Sequence, residues 1–196
     1  MSLKMKWIIA ISIIIVLLVV GWFLGTRLTV KKYEVSSTKI EKEIKLVQLS
    51  DLHFSEFGDK NEKLLHKVEN LNPDVIAITG DLFDRQGDSV PKELIKKLTK
   101  IAPDYFKLYV ENDFDLTLSG HTHGGIVRIP YTNIGAIAPG PQRTILPEYV
   151  YGEHSKNGKT MIISAGLGAG SLHQKAFPRL GNPYEIVAVT IKPESK

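Results

Sequence analysis

A run of 19 residues without a charged side chain, from Trp7 to Gly25, constrains this chain more than any other feature of its sequence. As an α-helix rising about 1.5 Å per residue, the run would be roughly 28 Å long, close to the hydrocarbon thickness of a bilayer. Trp7 and Trp22 near its ends are typical of the aromatic belt at membrane interfaces. The small residues of a signal-peptide cleavage site do not follow the run. We therefore predict an uncleaved transmembrane helix over residues 7–25; the alternatives are a buried core helix and a cleaved signal peptide.

Basic side chains flank this run on both sides. Lys4 and Lys6 precede it, and Arg27, Lys31 and Lys32 follow it. Because loops rich in Lys and Arg stay in the cytoplasm, the two flanks compete for that side of the membrane. We expect a single-pass membrane protein whose main domain is extracytoplasmic. In the alternative, the basic residues after the run lie on anionic lipid headgroups.

The distribution of charge and the absence of cysteine exclude several classes of protein. The chain has a formal net charge of +4, of which residues 1–45 contribute +5 and residues 46–196 contribute −1. A near-neutral domain has no broad positive face for phosphate backbones, so we expect no nucleic-acid partner. The 196 residues include no cysteine, which excludes disulfides, thiolate zinc sites, iron–sulfur clusters and a cysteine nucleophile.

The chain is expected to divide into four segments: a basic flank (1–6), the transmembrane anchor (7–25), a polar stem (26–44) and a domain (45–192). In the domain, short apolar runs alternate with amphipathic patterns, which predicts parallel strands in an α/β fold. The predicted strands are Ile44–Leu49, Val75–Thr79, Leu116–Leu118, Tyr149–Glu153, Thr160–Ser164 and Glu185–Ile191. Helices are predicted over Asn61–Asn70, from Pro91 onward and over Pro103–Asn112.

Acidic and histidine side chains follow three of the predicted strands. These are Asp51 and His53, then Asp81 and Asp84, and finally His121 and His123. Because ligands bind beyond the carboxyl ends of parallel strands, we expect the three loops to converge at one edge of a single sheet. Carboxylate and imidazole ligands suit Mn, Fe or Zn ions. Alternate residues of an extended D-x-H or H-x-H segment point to one side, so each such pair is expected to supply two ligands.

Each of these residues also has an ordinary structural interpretation. Asp51 would cap a strand end, Asp81 would cap the N-terminus of a helix, and the histidines would be hydrogen-bonded polar groups. Only the joint occurrence of the pairs after successive strands favours a metal site.

The motifs VQLSDLHF, DVIAITGDLFDR and DLTLSGHTHGG resemble those of the calcineurin-like metallophosphoesterases. Residues 45–192, including the late segment RLGNPYEI, are similar to the membrane-anchored bacterial branch of that family. The resemblance implies a β-sandwich flanked by helices and two divalent ions about 4 Å apart, which activate water and clamp a phosphate oxygen. Carried over by motif, the first ion is held by Asp51, His53 and His123, Asp81 bridges both ions, and His121 holds the second.

The sequence departs from the family at the second half of this site. It has no G-N-H-[DE] motif, so no catalytic residue is identified, and Ile101 stands where the family has a further metal-binding His. Only 40 residues separate Asp81 from His121, which suggests an internal deletion near Lys100–Pro103. We do not expect the remaining histidines to replace the missing ligands; these are His66, His154 and His173.

The resemblance implies a phosphoesterase that acts on a phosphodiester, a phosphomonoester or a pyrophosphate. The resemblance to the anchored branch suggests lipid-linked nucleotide sugars such as UDP-diacylglucosamine as substrates. We expect the activity to be impaired and only one ion to be retained. The alternative is a non-enzymatic, membrane-tethered remnant that binds metal or phosphate. A third interpretation is a chain that folds poorly because a strand is missing and an edge is exposed.

Overall fold

The computed structural model describes residues 1–53, 55–80, 94, 115–136, 145–146, 149–156, 158–168 and 179–194. Several sequence predictions lie outside these residues. They are the positions of Asp81, Asp84, Ile101 and His173, the deletion near Lys100–Pro103, the helix over Pro103–Asn112, and all but Leu94 of the helix from Pro91.

The first element is a helix, α1 (Leu3–Gly25), which contains the predicted span. Ser2 caps it, and the Ser2 hydroxyl accepts a hydrogen bond from the Met5 N–H at 3.3 Å. Among the described residues, α1 is the helix that is long and apolar enough to cross a membrane. Only 6% of its most apolar 18-residue stretch is buried. This low burial argues against a core helix, whereas a membrane span and a signal sequence both remain compatible with it.

A four-stranded sheet follows, formed by β1 (Leu28–Ser37), β2 (Ile44–Ser50), β3 (Val75–Thr79) and β7 (Tyr184–Pro193) in the order β1-β7-β2-β3. Strand β2 is parallel to β3 and antiparallel to β7, and β1 is parallel to β7. Strand β1 lies within the segment 26–44, for which the sequence analysis predicted a polar stem and no strand. Its residues pair with β7 from Leu28 opposite Tyr184 onward, so the backbone polar groups of this polar segment are used in a sheet.

A second sheet contains β4 (Leu116–Ser119), β5 (Gly152–Lys156) and β6 (Lys159–Ile163) in the order β4-β6-β5. The prediction that the three ligand-bearing strands share one sheet is therefore wrong, because β4 lies in this second sheet. Strand β5 also lies three residues later than predicted. Pairing of β5 with β6 continues to Lys156 opposite Lys159.

The core lies on both faces of β7, because successive side chains of a strand point to opposite sides. On one side Ile186 packs in a cluster with Leu64 and Val68 of α2 (Glu62–Leu71). On the other side Val187 and Val189 pack against Ile162 of β6. The two sheets therefore face each other, with α2 on the outer side of the first sheet, which agrees with the predicted mixed α/β fold.

One buried side chain joins the sheets near the carboxyl ends of their strands. Gln48 of β2 is fully buried, and its Nε2 donates to the Thr79 hydroxyl at 2.8 Å and to the Ser119 carbonyl at 3.3 Å. Since Thr79 ends β3 and Ser119 ends β4, this side chain holds three strand ends together. The loops after β2 and β4 meet there even though their strands belong to different sheets.

Candidate metal centre

The loops after β2 and β4 bring together three of the predicted ligands. Potential ligand atoms of Asp51, His53 and His123 all lie within 4.8 Å of one another, and the three residues are buried. The imidazole rings of His53 and His123 have centroids 5.3 Å apart and are tilted by 33°. We call this group the Asp-His-His triad.

The backbone at these residues differs from the extended segments that the sequence analysis assumed. The φ angles of Asp51, His53 and His123 are each 49°, and that of His121 is 33°. Non-glycine residues rarely adopt this left-handed region, and where they do the strain often marks a functional site. Asp51 and His53 therefore reach one centre through tight turns rather than by alternation along a strand.

The two histidines of the H-x-H motif have different positions. His123 is buried in the triad, whereas the His121 side chain is exposed and stands outside the triad. The backbone N–H of His121 instead donates to Asp51 Oδ2 at 3.0 Å. The assignment of His121 to a second ion stays a prediction, and Asp81, the predicted bridge, lies outside the described residues.

Asp51 is held by neighbours that leave it fully buried. Its backbone N–H donates to the Thr79 carbonyl at 3.0 Å, and its carboxylate accepts from the Ser50 hydroxyl as well as from His121. These donors orient the carboxylate and satisfy part of its hydrogen-bonding capacity. A buried carboxylate arranged in this way is suited to a further positive partner.

Two side chains that the sequence analysis did not single out hold the His123 loop. The Arg179 guanidinium donates to the carbonyl oxygens of His123, Gly166 and Gly168 at 3.3, 3.1 and 2.9 Å, and also to that of Ala165. Asn182 Nδ2 donates to the His123 carbonyl at 2.6 Å. Both belong to the RLGNPYEI segment, whose arginine and asparagine among Gly and Pro were the available signal.

The electrostatics at His123 favour the form that binds metals. The pKa of His123 is lowered to about 4, mainly by burial; Asp51 opposes this shift, and the charges of Arg179 and the other histidines contribute to it. A neutral imidazole offers a lone pair, and His123 Nδ1 is buried without a hydrogen-bond partner among the described residues. One carboxylate and two imidazoles therefore fit a divalent Mn, Fe or Zn ion, with Asp51, His53 and His123 as the residues that would hold it.

Gly120 allows the close approach of the two loops. A Cβ at this position would overlap both the Ser50 hydroxyl and the Asp51 carboxylate. We expect Gly120→Ala to displace Asp51 and to lower the affinity for Mn²⁺ by about 10- to 100-fold, as losses around metal ligands do. Isothermal titration of the full chain with Mn²⁺ measures this.

Gly158→Ala provides the control for this substitution. Gly158 has a φ of 73° in the β5–β6 turn, but nothing lies within 4 Å of the added Cβ. This variant is expected to lose about 1 kcal/mol of stability through backbone strain and to keep its Mn²⁺ affinity. Equal affinities of both variants would contradict the role given to Gly120.

The first part of this site lies in a segment that is similar to known proteins. Residues 44–110 match the family Calcineurin-like phosphoesterase. The chain is 32% identical over 90 residues to the uncharacterized metallophosphoesterase Cj0846 of Campylobacter jejuni. The aligned segment covers 45% of this chain and 20% of that protein. The chain is 33% identical over 79 residues to the uncharacterized metallophosphoesterase YkoQ of Bacillus subtilis, which covers 39% and 29% respectively.

The matched parts are short relative to these proteins, and the chain spans less than a third of the length of either. No solved structure gives a significant match. The match to the family contains Asp51 and His53 but not His123, which the fold brings to them from beyond residue 110. Over residues 44–110 the chain is similar to the calcineurin-like phosphoesterases, a family of metal-dependent hydrolases.

Proposed function

We propose that this protein is a metal-dependent phosphoesterase with impaired activity. The observation that carries the proposal is the buried Asp-His-His triad, two of whose members lie in the segment similar to calcineurin-like phosphoesterases. A divalent ion bound there would supply Lewis-acid polarisation and an activated water. Asp51, His53 and His123 would hold the ion, and Arg179 would keep the His123 loop in place.

The second half of the site is the basis for the expected impairment. Asp81 as a bridging ligand and His121 as a ligand of a second ion are proposals from the motif, and so is the loss of the G-N-H-[DE] segment by deletion. The His121 side chain is exposed. Without a positioned general acid, the leaving group lacks a proton donor, which lowers the rate by about 100-fold or more.

The proposed location follows from α1. We place the chain in the membrane-anchored branch, with α1 as a single span and the domain on the extracytoplasmic side. This location favours lipid-linked substrates, of which UDP-diacylglucosamine is one candidate. A phosphodiester, a phosphomonoester and a pyrophosphate each contain a phosphorus–oxygen bond that such an enzyme could hydrolyse.

Turnover of a bis-aryl phosphodiester in the presence of Mn²⁺, alongside the metal content of the full chain, tests the proposal. We expect one ion per chain and a rate about 100-fold or more below that of the YkoQ protein measured in parallel, because the acid is missing. Asp81→Ala is expected to lower the remaining rate further. Asp74→Ala serves as its control, because Asp74 is an exposed acid directly before β3.

The outcomes separate the alternatives. Two ions per chain with a rate equal to that of YkoQ would contradict the impairment. One ion with no turnover on any of the three ester types would instead indicate a non-enzymatic metal-binding remnant. A cooperative thermal transition of the full chain would exclude the third interpretation, a chain that does not fold.

A further inference from the structure

A cavity lies where the C-terminal end of α1 meets the domain. Its volume is about 320 Å³, at the lower end of the range for small-molecule sites. No member of the Asp-His-His triad lines it. Its charged lining residues are Arg27, Lys31, Arg128 and Glu185.

Arg128 is the buried cation of this cavity. The residue is 7% exposed, and its guanidinium carbon lies 3.5 Å from the centroid of the Tyr151 ring. Its Nε and Nη1 are buried and have no hydrogen-bond partner among the described residues. A buried cation whose donors are unused is costly unless an anionic partner completes it.

Glu185, an acid whose charge interacts with that of Arg128, uses its carboxylate for hydrogen bonds to other groups. Its carboxylate accepts from the Tyr151 hydroxyl and, at 3.3 Å, from the Ala165 N–H. Burial raises the pKa of Glu185, whereas these two hydrogen bonds and the nearby charges of Arg128 and Arg179 lower it. Among the described lining residues, three basic side chains therefore face one acid that is already hydrogen-bonded, and the cavity favours an anion.

The turn beside the cavity has the character of a membrane-contacting surface. Ile129 and Ile134 close it with a backbone hydrogen bond of 3.1 Å, and Arg128 pairs with Gly135. The apolar side chains at its tip are exposed: Ile129 by 56%, Tyr131 by 96% and Ile134 by 52%. Exposed aliphatic and aromatic groups in one turn are typical of a site of membrane contact.

The position of this turn relative to α1 agrees with that interpretation. The Gly181 N–H donates to the Gly21 carbonyl near the end of α1 at 2.9 Å, and the neighbouring Leu180 carbonyl accepts from the Arg128 N–H at 3.0 Å. These two hydrogen bonds connect Arg128, at the start of the turn, through residues 180–181 to the last part of the helix. If α1 spans a bilayer, the turn and the cavity lie at the level of the headgroups.

We propose that this cavity binds the phosphate of an anionic phospholipid headgroup. Arg128 supplies the buried donors, Arg27 and Lys31 supply further positive charge at the rim, and the Ile129–Ile134 turn enters the interface. The inference rests on the proposed membrane span and is independent of the proposed hydrolysis. It gives the domain a fixed orientation on the membrane surface.

Thermal unfolding of the full chain in a non-ionic detergent tests the proposal. Phosphatidylglycerol, phosphatidylcholine and inorganic phosphate are titrated separately, with EDTA present so that no metal at the triad binds phosphate. We expect phosphatidylglycerol to raise the midpoint temperature in a saturable way. Arg128→Gln is expected to weaken its apparent affinity about tenfold or more, since a charged hydrogen bond to phosphate is lost.

Two further variants keep the test decisive if Arg128→Gln does not fold. The double variant Arg27→Gln/Lys31→Gln changes exposed residues and is expected to weaken phosphatidylglycerol binding, whereas Lys45→Gln, an exposed lysine away from the cavity, leaves it unchanged. Unchanged binding by the double variant would overturn the proposal. Equal effects of phosphatidylcholine, or displacement of the lipid by inorganic phosphate at similar concentration, would overturn the assignment to an anionic lipid.

Discussion

Asp51→Asn is expected to abolish specific binding of a divalent ion at the Asp-His-His triad. The substitution keeps the shape of the side chain but removes its negative charge, and an amide oxygen is a much weaker ligand. We expect the affinity for Mn²⁺ to fall by about 100-fold or more, because loss of even an outer partner of a ligand costs 10- to 100-fold. Turnover of a phosphodiester is expected to disappear with the ion.

The gain in stability on metal binding gives a measurement that does not depend on activity. At a Mn²⁺ concentration 100 times the dissociation constant, the native protein gains about 2.7 kcal/mol, and Asp51→Asn is expected to gain almost nothing. Asp74→Asn is the matched control, since Asp74 is exposed and accepts a hydrogen bond from the Lys45 N–H at 2.8 Å. An equal Mn²⁺-dependent stabilisation of both variants would show that the triad does not bind the ion.

The strands around the site differ in how far their sequences reveal them. The prediction for Val75–Thr79 agrees with β3 to the residue, because Pro73 and Gly80 bound a short apolar run. Strand β1 was not predicted, because many of its residues are polar and it lies at the edge of its sheet. From Tyr33 onward its side chains alternate between half-buried and exposed, as in Tyr33 and Val35 against Glu34, but this signal is short.

Three of the predicted ligands come together in the structure, whereas the geometry of their loops could not be predicted. Asp51, His53 and His123 come together as their motifs indicate. The sequence could not reveal that β4 belongs to the second sheet, because a local pattern does not specify which strand a run will pair with. Nor could it reveal the left-handed backbone at His121, which leaves that side chain exposed and gives its N–H to Asp51.

Arg179 shows why positioning residues are harder to predict than ligands. An arginine is usually exposed, and nothing in the spacing of Arg179 indicates burial. Here it is 4% exposed, and its donors reach carbonyl oxygens of two separate loops. Burial lowers the pKa of Arg179 to about 10, so the side chain still carries its charge at neutral pH.

Arg179→Met is expected to destabilise the domain more than any surface change. Methionine preserves much of the apolar volume but leaves the Gly168 and Ala165 carbonyls without this donor, and each hydrogen bond to a charged group contributes about 1.5–3 kcal/mol. We expect a loss of about 3 kcal/mol, or a fall of about 6–12 °C in the midpoint of thermal unfolding with EDTA present. The His123 loop also loses the hydrogen bond from the Arg179 guanidinium, so we expect the affinity for Mn²⁺ to fall as well.

Two further variants separate positioning by Arg179 from a general effect of removing an arginine. Arg179→Lys keeps the charge but cannot present a planar fork of donors, so we expect an intermediate loss of stability and of Mn²⁺ affinity. Arg27→Met removes an exposed arginine and is expected to change the free energy of unfolding by less than about 0.5 kcal/mol. If Arg179→Met matched Arg27→Met in both stability and Mn²⁺ affinity, the carbonyls around His123 would not depend on Arg179. The triad would then be held by the left-handed turns alone.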